Sequence, residues 1–177
     1  MKNIFSLLIL IILITTSFTT SPISPIEKNG EILLNDLLNN DSESFKKKYQ
    51  IDSSDLQWYE NKINSDTLLT DETKLEYIDN FKEFKLKNNN SQEIRYTRKW
   101  TSLLEKYNIK KSDIKYIKTY YIQTNQNFHI NGLGVFIKFF ANNSYYYVQL
   151  SVYEINKKWK GALLSNSDEC DKYFDGI

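Results

Sequence analysis

Leu133-Gly134-Val135-Phe136-Ile137-Lys138-Phe139-Phe140-Ala141, followed by Asn142-Asn143-Ser144 and then Tyr145-Tyr146-Tyr147-Val148-Gln149-Leu150-Ser151-Val152-Tyr153, is the stretch that decides the fold. Leu133, Val135, Ile137 and Phe139 recur at every second position, which places them on one face of an extended strand. Tyr146, Val148, Leu150 and Val152 repeat the pattern on the way back. Asn142-Asn143-Ser144 between the two runs is a turn, because asparagine tolerates the left-handed backbone that tight hairpins need. Asn156-Lys157 turns the chain again into Trp159–Leu164, and the β-branched, aromatic run Ile114–Gln123 precedes the whole. These close returns predict an antiparallel meander of about four strands.

Upstream of this stretch the period is helical. Tyr96, Trp100, Leu103, Leu104 and Tyr107 fall on one helical face, and Ser91 is placed to cap that helix. Thr70-Asp71-Glu72 opens an earlier helix through Leu75, Ile78 and Phe81, with acids at its positive end, and Asn88-Asn89-Asn90 is expected to break it. Ser42 and Ser53 or Ser54 are expected caps for two shorter helices. Ile32, Leu33, Leu34, Leu37 and Leu38 mark another, ended by Asn39-Asn40. Helices first and a sheet last make an α+β fold, with N-terminal helices packed on a C-terminal antiparallel meander sheet.

The chain begins like an address. Lys2 is the only charge before Glu27, and the apolar run Ile4–Ile14 leads into the small polar cluster Thr15–Ser21. A basic tip, a short apolar core and a small-residue exit read as a signal peptide over residues 1–21, hence export. An uncleaved membrane anchor is the competing reading, although the run of roughly 11 residues is short against the ~20 that span a bilayer as a helix. Residues 22–30, with both prolines of the protein, read as a linker, and 31–177 as a single domain.

Without Lys2 the chain carries 22 basic residues against 22 acidic ones, and their interspersion argues against a nucleic-acid or anionic-membrane binder. The single cysteine, Cys170, has no partner within the chain, so packing alone must hold the domain together. Thirteen tyrosines, ten phenylalanines and three tryptophans supply large buried areas for that purpose.

The run Leu133–Leu164, and especially Ile155-Asn156-Lys157-Lys158-Trp159-Lys160, resembles the last strands of the nuclear-transport-factor-like, or cystatin-like, cone. That resemblance implies helices packed into a curved sheet. It also implies either an accessory binding domain or an isomerase or dehydratase that places an acid or base with a tyrosine inside the cone. Asp113, Glu154, Tyr116 and Tyr120 would be the residues for that chemistry here.

Reading the residues themselves turns up little chemistry. His129 is the only histidine and sits in an expected hairpin loop, so a histidine-based nucleophilic mechanism has one place to use. One cysteine and one histidine far apart make no metal cluster, and no glycine-rich phosphate loop is present, so neither cofactor nor metal is expected. Asn40, Asn89 and Asn142 each open an Asn-x-Ser glycosylation pattern.

Alternation leaves Phe136, Phe140, Tyr145, Tyr147 and Tyr153 on the sheet face opposite the helices, with Lys138 and Gln149 between them. An aromatic outer face of that kind marks a partner surface. Cross-strand stiffening, or an N-terminal segment lying over the face, would account for the same rings. The expectation is therefore an exported, non-catalytic binding protein for a protein or envelope component. A cone-cavity carrier or enzyme and a homodimer built on the aromatic face are the rivals.

Overall fold

The computed structural model describes residues 25–124 and 129–165. The expected signal peptide, Cys170 and residues 125–128 of the expected hairpin loop lie outside the described residues. Helix α1 runs from Pro25 to Asn39, α2 from Ser42 to Tyr49, α3 from Ser53 to Asn64 and α4 from Asp71 to Arg95. A π-helical stretch, Tyr96–Thr101, joins α4 to the short α5, Ser102–Lys106. Strands β1 (Lys115–Thr124), β2 (Asn131–Ala141), β3 (Ser144–Ile155) and β4 (Lys158–Leu164) form an antiparallel sheet in that spatial order. No described helix is long and apolar enough to cross a membrane.

The meander stands where alternation placed it. Val135 faces Leu150, Ile137 faces Val148 and Phe139 faces Tyr146 across β2 and β3. Asn142 and Asn143 both take positive φ in the first tight turn, and Asn156 and Lys157 do so in the second. That pair of left-handed residues matches the twist of the flanking strands.

The helix boundaries need correction. Asp41 and Asp52 hold the N-cap positions expected for Ser42 and for Ser53 or Ser54, while Thr70 caps α4. An ionised aspartate at the positive end of a helix gains from the dipole as well as from the capping bond. Asp52 also completes a reciprocal capping box with Asp55. Helix α1 starts at Pro25, so residues 25–30 of the expected linker are helical; proline suits a first turn, where its missing N–H is not needed.

The largest difference is at Asn88-Asn89-Asn90, which lies inside α4 and does not break it. Asn88 Nδ2 donates to the Gly161 carbonyl at 3.1 Å, and Asn89 both donates to the Ile51 carbonyl and accepts from its N–H. These tertiary bonds outweigh a helix penalty of roughly 0.6 kcal/mol per asparagine. Ser91, expected as a cap, sits mid-helix and bonds back to the Lys87 carbonyl.

Two large clusters make most of the core among the described residues, and a small third, Phe136 with Tyr147, lies on the other sheet face. The first lies between the inner sheet face and α1, α2 and the π stretch, around Leu37, Phe45, Trp100, Val135, Phe139 and Leu150. The π geometry accompanies two side chains that end α1: Tyr96 Oη and Trp100 Nε1 both donate to the Leu37 carbonyl at 3.0 Å. The second cluster packs α3 and the first half of α4 against Ile130 and Ile155, with Tyr59 stacked on Phe81 at 4.0 Å. Helix α4 belongs to the second cluster, and past its bonds to β4 it leads into the π stretch that carries Tyr96 and Trp100 of the first.

Candidate binding surface

The five aromatic residues expected on the outer face separate into three environments. Tyr153 is covered: Phe84 of α4 meets its ring edge-on at 4.8 Å, and burial raises its hydroxyl pKa. Phe136 and Tyr147 keep only 7% and 5% of their surface and pack together with Tyr120. Phe140 and Tyr145 form the open end, with centroids 5.2 Å apart and Tyr145 58% exposed. The cover on Tyr153 comes from α4 and not from the N-terminal segment considered above, while Phe140 and Tyr145 face each other as a cross-strand pair.

Two lysines lie among these rings. Lys118 of β1 and Lys138 of β2 stand directly opposite each other in the register. The Lys138 ammonium lies 4.7 Å from the Tyr145 centroid and 5.4 Å from that of Tyr147, and Lys118 lies 5.3 Å from that of Tyr120. A hydrogen bond with Tyr147 is the main cause that pushes the Lys138 ammonium above its ordinary range, so it stays charged. Sequence reading found the rings and Lys138 but missed Lys118, because only pairing across the β1–β2 loop brings it alongside.

An open groove of about 620 Å³ adjoins this face. Arg95 on α4 and Arg98 and Lys99 on the π stretch line one side; Gln149 of β3 and Ser165 line the other. Gln149 is paired with Phe136, so the groove opens onto the aromatic rows. Nothing in the sequence pattern joined these residues, since the helix and the strand ends are about 50 or more positions apart.

The residues that a cone enzyme would use do not converge. Asp113 accepts from Ser112 Oγ at 2.9 Å, Glu154 accepts from Asn131 at 3.2 Å, and Tyr116 shares a hydrogen bond with Thr119 at 3.0 Å. His129 is exposed, with φ of 54°, and its ring meets Tyr77 edge-on. Its carbonyl accepts from Lys62. Among the described residues no group of three or more potential ligands is placed to hold a metal ion. The three Asn-x-Ser asparagines all use their amides structurally, donating to Asp36, to Ile51, and to Tyr107 and Asn108.

The architecture is that of a small α+β domain whose aromatic and basic side chains gather on an outer sheet face and in the groove beside it. Compared with known proteins, the chain matches no family model, no curated protein and no solved structure.

Proposed function

We propose that this chain is an exported, non-catalytic binding protein that holds a protein or cell-envelope component on the outer sheet face, at the open end formed by Phe140, Tyr145, Lys118 and Lys138. The observation that carries this reading is the Lys118–Lys138 pair. Like charges directly opposite on neighbouring strands are locally unfavourable. Here they stand in register between aromatic rings. Local conflicts of this kind concentrate where function requires them. A partner carrying carboxylate or phosphate groups would relieve the repulsion, while the rings supply apolar contact with a wettable rim.

Replacing Phe140 and Tyr145 with serine tests the reading, since both lie at the exposed end. The double variant should keep the wild-type circular dichroism spectrum and lose capture of the component that the wild type retains from the envelope fraction. Capture that survives the double change refutes the face. Self-association through the same face is the competing outcome, and light scattering over a concentration series separates it from capture of a different partner.

A further inference from the structure

At the other end of the strands from Phe140 and Tyr145, two depressions flank the β3–β4 turn and are furnished alike. The register sets Asn131 beside Glu154 and Glu154 beside Trp159, a row across the ends of β2, β3 and β4. On one side of that row a depression of about 290 Å³ is lined by Asn29 of α1, Tyr49 of α2, Lys158 and Trp159. On the other, a depression of about 190 Å³ is lined by Trp58 and Lys62 of α3, His129 and Asn131. Glu154 and Lys157 line both. Each depression thus holds one half-buried tryptophan, an asparagine and a lysine of its own, around a shared acid and a shared lysine.

The local structure holds these groups in place. Asn131 donates to the Glu154 carboxylate at 3.2 Å and orients it. Lys62 donates to the His129 carbonyl, and its ammonium lies 5.6 Å from the Trp58 centroid. Lys157 is the exception to local preference. It takes φ of 59° at the second position of its turn, where the other hairpin uses Asn143 and where glycine fits most easily. Backbone strain of this kind gathers at ligand contacts, and here it falls on the residue that both depressions share.

We infer that the two depressions are subsites for an acidic oligosaccharide, with one sugar ring resting on Trp159 and another on Trp58. The C–H face of a pyranose is apolar and packs on an indole. The hydroxyls at its edge pair with planar carboxylate and amide groups such as Glu154, Asn29 and Asn131. Lys62, Lys157 and Lys158 stand against the single acid Glu154 among the described lining residues, which selects sugars that carry carboxylates, the uronic acids. Two strand spacings, ~10 Å, separate Asn131 from Trp159, a span for two or three linked rings. Phe140 and Asn131 lie toward opposite ends of β2, ~30 Å apart by strand rise, so the inference does not rest on the surface proposed above.

Tryptophan fluorescence reads this site, because Trp100, the remaining tryptophan, is fully buried in the core. Titrating the purified protein with trimers of glucuronate, galacturonate and mannuronate should give a saturable change with at least one of them. The matching neutral trimers and the single uronates should bind at least tenfold more weakly. Lys157→Gly should weaken the trimer at least fivefold while raising the melting temperature, since it removes the charge and the strain together. A lysine with a merely structural role would not separate those two readouts. No saturable change with any of the three trimers would overturn the inference. Neutral trimers that bind equally well would do so too, as would an affinity that Lys157→Gly leaves unmoved.

Discussion

The two edges of the sheet are finished in different ways. At β4 the exposed backbone is met by the side of a helix. Asn88, Gln92 and Arg95 fall on one face of α4 and donate to the carbonyls of Gly161, Ala162 and Leu164. Lys160 is bound from the same side, at 3.2 Å from Asp52 and 3.1 Å from Asp55. At β1 no described helix does this. Its protection is local: Lys115 and Lys118 carry charge, and the register breaks between Tyr116 and Lys118, leaving Ile117 as the extra residue. Tyr121 and Ile122 remain 52% and 53% exposed. A sheet edge is a template for further pairing. The backbone of one edge strand is bonded by helix side chains, whereas the other, although α1 packs against it, presents charges and a bulge at its edge.

The closed edge should be the more costly to damage. Lys160→Met leaves Asp55, a buried carboxylate, without its counter-charge, and should destabilise by about 3 kcal/mol in urea unfolding. Adding Asp55→Asn should recover much of the loss, and no recovery would mean that Lys160 acts through packing instead. On the β1 side, the helix α1 approaches so closely that a Cβ at Gly30 would stand 1.9 Å from Thr119 Oγ1. Gly30→Ala should therefore destabilise by about 2 kcal/mol despite its better helix propensity, read as a lower melting temperature.

The double change Asn88→Ala/Gln92→Ala should lose about 1–2 kcal/mol, since two hydrogen bonds disappear while alanine favours the helix. The sum is reduced because Asn88 Oδ1 and Gln92 Oε1 have no hydrogen-bond partner among the described residues. Lys118→Ile should change monomer stability by no more than ~0.5 kcal/mol, yet produce concentration-dependent association in light scattering. A monomeric Lys118→Ile beside an associating Asn88→Ala/Gln92→Ala would reverse the assignment of the vulnerable edge.

The smallest effect is a titration at the β4 side. A hydrogen bond from Ser54 is the largest cause holding the Asp52 carboxyl well below its ordinary 3.8, with Lys160 adding to it. A depressed pKa means that the folded state favours the ionised form. The stability this contributes is complete above about pH 4 and is lost as the pH falls through the folded value. Wild type and Asp52→Asn should therefore differ in melting temperature at neutral pH and converge below pH 4. A gap that persists into strong acid would assign the contribution to something other than ionisation.

Legibility followed the range of the interaction. The meander was readable because alternation and asparagine turns are local signals, and cross-strand register follows from them. The clean stripe Tyr96–Trp100–Leu103 likewise marked a buried face, and the structure places all three in the first cluster. Asn88-Asn89-Asn90 misled because local propensity treats asparagine as a helix breaker. Its partners, Ile51 and Gly161, lie 38 and 73 positions away and leave no mark on the neighbouring sequence. The outer face was half legible: parity chose its residues, but parity is blind to what lies above them.

The α+β order, the four strands and the two sides of the sheet are written in the amino-acid sequence, because backbone periodicity and turn chemistry act within a few residues. Folding in three dimensions settled the rest: Tyr153 is covered and Tyr145 is open, Lys118 stands opposite Lys138, and Arg98 shares a groove with Gln149. The cover on Tyr153 and the groove depend on how a long helix crosses a sheet edge, and the lysine pair on the register shift between Tyr116 and Lys118; both are set by contacts between residues apart in the chain.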